Sequence, residues 1–345
     1  MNLLPQASEN RPRVACEITS QGVVAGRSAD AASPLSAVAR VPLAEGAVVP
    51  GLRPGNIVDR VAVTAALRKV LEEIDAKPNS RNADITLVIP DAAARVLLLD
   101  FDSLTTKQAD ALPIVRFRLK KLLPFDADEA MVSYQIMSTG RGLVRVLALA
   151  MPRDVLSEYE AAAREAGFEP GTVLPSTLAA VAALEGDGPS LLVNANSIAV
   201  TTAIVQQGIL LLHRSVDLQE HAGNAYASSE PVAIEQPTPL TASVVHIEPP
   251  PADLQNVPLS TEIAQAVSVA AAYFEDTLAS APHQVLSAGP LGAEKLGRML
   301  RESGVGPDDG LFVRELVESS ALLSDAVKTS VHRAWLSSIT GALRA

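Results

Sequence analysis

The residues able to do chemistry in this chain are few, and their spacing is poor for it. There is one cysteine, Cys16, and five histidines, His213, His221, His246, His283 and His332. None of these stands at metal-ligand spacing from another, so no metal is expected, and a lone cysteine allows no internal disulfide. No serine sits in a nucleophile-elbow context, so no catalytic Ser-His-Asp arrangement is expected either. Two other features stand out. Arg116, Arg118, Lys120 and Lys121 cluster in "RFRLKKLLPF". The plain reading is a solvated helix face, and the sharper one a docking patch for an acidic partner or an anionic membrane surface. The tip, "MNLLPQ", puts Leu3 and Leu4 between Asn2 and Pro5 on an otherwise polar tail.

Composition narrows the partners. At 345 residues and 48% hydrophobic content the chain has ample core for two domains or for one large body made of two lobes. With 28 basic against 39 acidic side chains it carries a net charge of -11, which repels a phosphate backbone. Nucleic acid is not an expected partner. No apolar run reaches the roughly 18 residues of a membrane span, and the tip lacks the basic-then-apolar order of a signal peptide. A soluble, cytoplasmic protein is expected.

Periodicity then places the elements. "RVACEITSQGVVAGR" reads as a hairpin turning at Ser20–Gly22, followed by an extended stretch over 37–43. Val63, Ala66, Leu67, Val70, Leu71 and Ile74 lie on one face of a helix. "DITLVIP" and "RVLLLDF" read as buried strands. A helix over the basic cluster carries the stripe Leu112, Val115, Leu119 and Leu122, with Thr105 and Gln108 at capping-box spacing and Pro113 as a kink or restart. "MVSYQIM" and "LVRVLALAMP" are strands. The next helix has Asp154 as N-cap, Val155, Tyr159, Ala162 and Ala166 on one face, and Gly167 as C-cap. Beyond it "SLLVNANSIAVTTAIVQQGILLLHRSVDL" forms two or three strands. From 219 to 260 the chain is rich in Pro, Ser, Ala, Glu and Gln and reads as a mobile insertion with "ASVVHI" as a short strand. A helix over 261–279, a strand-turn "HQVLSAGPLG" and terminal helices complete an α/β body with a mixed sheet.

Several of these stretches, in order, resemble the PilM family of actin-like proteins of type IV pilus assembly: "NIVDRVAVTAALRKVLEEI", the block from "DITLVIPDAAARV" through "KKLLPF" to "YQI", "VLALAMPRDVLSEYEAAAREAGFEPGTVLPSTLAAVAAL", "EIAQAVSVAAAYFEDTL" and "ITGALRA". The resemblance implies an actin-like (RNase H-like) two-lobed fold with a small inserted α+β subdomain. Residues 1–12 would be a flexible tail, 13–81 and 153–188 the first lobe, 82–152 the inserted subdomain and 189–345 the second lobe. It also implies a nucleotide cleft, in which two strand-turn segments bearing aspartate and glycine approach phosphate and magnesium. Here Glu17 and Thr19 stand at the first pair of positions and Asn194 and Asn196 at the second. A longer carboxylate and a β-branched residue intrude where a phosphate would sit, and an amide removes a charge. The paired glycines expected near Leu218–Gln219 are missing, and the adenosine-side turn survives only around Ser287 and Gly289. ATP and magnesium are therefore not expected cofactors, no residue is assigned a catalytic role, and the chain is not expected to be an enzyme. Glu17 is expected to be a solvated carboxylate at the surface or in the cleft, and both asparagines turn residues.

In that family the partner is PilN, a membrane protein whose cytoplasmic N-terminal peptide carries "NLLP" and lies between the inserted subdomain and the first lobe. This chain carries the same four residues at Asn2–Pro5. The implied function is a non-enzymatic adaptor at the inner membrane, bound to a PilN-like protein and open to self-contact through its tail. Other readings are an ATP-driven switch of the same machine, an actin-like domain of a type II secretion platform, and a sugar-kinase-like enzyme, which the eroded phosphate segments disfavour.

Overall fold

The computed structural model describes residues 12–79, 83–140, 142–218, 257–306, 311–318 and 331–344. Asn2–Pro5 and the stretch 219–256, with "ASVVHI", lie outside the described residues.

The first lobe is built on the expected hairpin, β1 (Val14–Thr19) and β2 (Gly22–Ser28), extended by β3 (Leu35–Pro42). β4 (Asp84–Ile89) joins parallel to β1 and β8 (Glu169–Pro175) parallel to β4, in the order β3-β2-β1-β4-β8. The insertion therefore starts after β4, not at residue 82. β4 is buried on both faces because it lies between two parallel neighbours. On one side lies α1 (Arg60–Glu73), whose N-terminus is capped by the Asp59 carboxylate accepting from the Ala62 N–H. Beside it α3 (Arg153–Glu165) buries Val155, Tyr159 and Ala162. Asp154 sits in the first turn of α3 and does not cap it; Pro152 holds the cap position. At the other end Gly167, at φ 94°, lets its own N–H reach Arg164 and that of Phe168 reach the Ala163 carbonyl, a Schellman closure that needs a left-handed residue.

The inserted subdomain is a sheet, β5 (Arg95–Phe101), β7 (Leu143–Pro152) and β6 (Ala130–Gly140), in that order. α2 (Gln108–Leu119) covers it with Ala111, Val115 and Leu119. Pro113 neither ends nor restarts α2. The Thr105 hydroxyl accepts from the Lys107 N–H, one turn too early to cap, so the expected capping box does not form. Leu122 lies past the last turn and is half exposed, contrary to the helical stripe.

The second lobe repeats the first sheet's plan. β9 (Ser190–Ala195), β10 (Ala199–Gln206) and β11 (Ile209–Asp217) are antiparallel, and β12 (Gln284–Ser287) and β13 (Phe312–Glu315) follow in parallel, giving β11-β10-β9-β12-β13. β13, four residues long, was not expected. α5 (Val257–Leu278) starts at Val257, inside the stretch expected to be insertion, and α6 (Ala293–Glu302) packs beside it.

α7 (Ser337–Arg344) does not stay with the second lobe, as the expected span 189–345 would have it. It returns to the first, against α4 (Ser176–Val181), β1 and β2. Its Ile339, Ala342 and Leu343 join one apolar cluster with Ala15 and Val24 of the first lobe and Leu192, Ala203 and Leu286 of the second. The α4–α7 crossing is so close that a Cβ on Gly341 would lie 1.9 Å from the Ala179 carbonyl oxygen. In Gly341→Ala the gain in helix propensity, about 1 kcal/mol, is outweighed by overpacking of about 3 kcal/mol. Urea denaturation is expected to show a net loss of about 2 kcal/mol, and an unchanged or raised midpoint would contradict this crossing.

Candidate functional site

The residues expected at the cleft do converge, but they are bonded to the protein itself. Glu17, near the end of β1, is buried rather than solvated. One carboxylate oxygen accepts from the Ser176 hydroxyl at 2.6 Å and the other from Ser338 at 2.5 Å. Ser176 opens α4 and Ser338 lies in the first turn of α7, so one side chain ties three elements together. Asn194 is also buried, and lies in β9 rather than in a turn. Its amide nitrogen is 3.0 Å from both the Ser176 and Thr177 hydroxyls and 3.4 Å from Asp91. Asp91, in the 3-10 turn after β4, accepts from the Thr177 N–H at 2.9 Å and from its hydroxyl.

Asn196 is a turn residue as expected: its side-chain oxygen accepts from the Ile198 and Ala199 N–H groups at 2.9 Å. Thr19 closes the β1–β2 turn, donating to the Gly22 carbonyl at 2.8 Å. Ser287 is buried at the end of β12, with its carbonyl accepting from Leu316. Gly289 follows in a turn pressed onto β9, where an added Cβ would fall 2.4 Å from the Asn194 oxygen and 2.6 Å from the Ala195 backbone. The cavity bounded by Glu17, Thr19, Asp91, Ser176, Asn194 and Asn196 measures about 20 Å³. That is room for roughly one water molecule, against the several hundred Å³ of a typical small-molecule site. Outward the cleft widens to about 720 Å³ between Arg40, Glu45 and Val49 on one side and Ser197 and Ile198 on the other.

Sequence reasoning missed Asp91, Ser176, Thr177 and Ser338. A signal was present for three of them: a proline followed by polar residues stands just after β4, Pro90-Asp91, and at the end of β8, Pro175-Ser176-Thr177. Parallel neighbouring strands bring such turns side by side.

The basic cluster is not one patch. Arg116 donates to the Ala127 and Ala130 carbonyls, and Lys120 pairs with Asp128 at 2.5 Å, so both brace the subdomain's own loop. Arg118 and Lys121 are exposed and form no ion pair among the described residues.

A second concavity lies between the subdomain and the first lobe. It measures about 280 Å³ and is walled by Met131 and Ser133 of β6, Leu149 and Met151 of β7, Leu156 of α3, and Thr172 and Val173 of β8. Among the described residues β6 and β8 are each the edge strand of their sheet, so each presents a sheet edge to the hollow. Pro12 lies over Gly171 on its wall, with the proline ring 3.4 Å from where a Cβ would be.

Two lobes with one shared sheet order, joined by a returning helix and split by a small inserted sheet, match a solved structure of a PilM-PilN type IV pilus biogenesis complex. The TM-score is 0.69 at 15% identity, over 96% of this chain and 98% of that one. The fold is actin-like. An ethanolamine utilization protein, EutJ from Carboxydothermus hydrogenoformans, aligns at TM-score 0.48 and 13% identity over 99% of this chain and 91% of its own. The cytoplasmic domain of Epsl, an inner-membrane component of the type II secretion system of Vibrio cholerae, aligns at 0.39 and 14% over 73% and 94%. No protein-family profile matches the sequence, and no curated protein matches it. The base of the cleft between the lobes is lined by side chains bonded within the protein. Among the described residues no helix is long and apolar enough to cross a membrane.

Burial pushes Glu17 up to about 7, and Asp91's charge adds to the rise against the opposing bonds from Ser176 and Ser338. With the folded value above the ordinary 4.5, the folded state holds a proton that the unfolded state has released. The contribution is complete below about pH 4.5 and is lost as pH rises to about 7, on the order of 3 kcal/mol in all. Urea denaturation across pH 4–8 should therefore show wild type losing stability relative to Glu17→Gln through this window. Parallel curves would mean that Glu17 titrates in the fold as it does in the unfolded chain.

Proposed function

We propose that this protein is a non-enzymatic cytoplasmic adaptor of a type IV pilus assembly machine, held at the inner membrane through a PilN-like partner whose N-terminal peptide it binds. The observation that carries the reading is the apolar groove between β6 and β8 in a chain with the fold of PilM. An extended peptide there gains backbone partners from an edge strand and pockets for alternate side chains. Two leucines seated against Met131, Met151, Leu156 and Val173 would contribute roughly 3–6 kcal/mol before ordering costs. The non-enzymatic part is supported by the cleft base, where Glu17 and Asn194 are committed to internal bonds around a space of about 20 Å³.

The chain's own Asn2-Leu3-Leu4-Pro5 offers the groove the same peptide, and Pro12 at Gly171 sets the tail's root on the groove wall. Six residues lie between Pro5 and Pro12, an extended reach of about 24 Å, so the tail competes with the partner from within the molecule or from a neighbour.

Fluorescence anisotropy with a labelled peptide beginning Met-Asn-Leu-Leu-Pro tests the groove. Binding is expected, and Met131→Glu, at a half-exposed position on the rim, should weaken it by about tenfold or more. Removing residues 1–10 should tighten it. Equal binding by wild type and Met131→Glu would move the peptide elsewhere. Calorimetric titration with Mg-ATP is expected to be flat, and micromolar binding would overturn the non-enzymatic reading.

A further inference from the structure

Two exposed helix faces on different lobes match each other in spacing and oppose each other in charge. On the inserted subdomain, Ile114, Phe117 and Arg118 of α2 and Lys121 just beyond it follow i, i+3, i+4, i+7 and so share one side. Phe117 is 67% exposed and Ile114 44%, and the Lys121 ammonium lies 5.9 Å from the Phe117 ring centre. On the second lobe, α5 presents Val269, Ala272, Tyr273 and Asp276 at the same spacing, with Glu275 beside them. Val269 and Tyr273 are 43% and 42% exposed. Neither Glu275 nor Asp276 forms an ion pair among the described residues, and neither do Arg118 and Lys121.

Each face thus begins with apolar side chains and ends in charge, positive on α2 and negative on α5. Placed side by side and roughly parallel, they set Ile114 near Val269, Phe117 near Tyr273, and Arg118 and Lys121 near Glu275 and Asp276. An offset aromatic pair and two opposite charges meet with no like-charge clash. A lipid surface would satisfy the basic face alone, leave α5 without a role and work against the net charge of -11. We infer that the occupant of the α2 face is the α5 face of a second copy of this chain. The contact is heterologous, since different patches meet, and so it builds a head-to-tail chain of protomers rather than a closed two-fold dimer. A single helix-on-helix contact is small, so association is weak and depends on protein concentration.

Sedimentation velocity on the full chain, from about 1 µM to about 1 mM, reads this directly. Wild type is expected to show a weight-average sedimentation coefficient that rises with concentration and falls back in high salt. Arg118→Glu/Lys121→Glu and Glu275→Lys/Asp276→Lys should each weaken association by about tenfold, because each leaves like charges facing one another. Mixed in equal amounts, the two variants should assemble again, since every α2 face then finds an α5 face of opposite sign. All four positions are exposed, and thermal melts matching wild type will show that the variants fold. A wild type that stays monomeric throughout, a single reversal that assembles normally, or a mixture that fails to recover overturns the proposal. So does a monomer whose α2 face sediments with vesicles of phosphatidylglycerol and phosphatidylcholine.

Discussion

The arrangement turns on one buried carboxylate. Burying Glu17 carries a desolvation cost that two short serine hydroxyl bonds offset only in part, which is why its proton is held towards neutral pH. Because Ser176 opens α4 and Ser338 lies in the first turn of α7, those bonds anchor the starts of both helices. The α4–α7 crossing then admits only glycine at 341, and the apolar cluster around Ile339 reaches into both lobes. The base of the cleft is in this sense a structural joint. Asn194, reaching from β9 to Ser176 and Thr177, completes it from the second lobe without adding a charge.

What closes one concavity leaves another open. The two acidic groups at the cleft base, Glu17 and Asp91, face a space of one-water size. The subdomain and the first lobe, in contrast, flank an apolar hollow with β6 and β8, and neither strand finds a further partner strand among the described residues. Two sheet edges beside an apolar hollow suit the peptide role proposed for the groove, while the bonds around Glu17 make the cleft base rigid.

The four-residue basic cluster shows how the same residue type serves two ends. Arg116 and Lys120 point back to Ala127, Ala130 and Asp128 and brace the loop between α2 and β6. Arg118 and Lys121, at the intervening positions of the helical turn, point outward beside Phe117. A shift of one or two residues in phase separates bracing from exposure, and a count of charges along the chain does not register it.

Local patterning in the sequence determined most of the elements: the β1–β2 hairpin, the buried stripe of α1 from Val63 to Leu71, the glycine end of α3, and the strands on either side of α2. These depend on periodicity and on residues such as Gly167 whose backbone preference acts within one turn. Tertiary structure alone decided the rest. That β4 belongs to the first lobe, that β13 exists, and that α7 returns across the molecule follow from strand pairing and helix packing between segments far apart in the chain. The two sheets share one order although no repeat is visible in the sequence, because a sheet order constrains backbone pairing and leaves side chains free. The same reason hid the site. Glu17, Asp91, Ser176, Asn194 and Ser338 come from five separate segments, each ordinary by itself, and whether a carboxylate is solvated or buried is settled by what the fold brings against it.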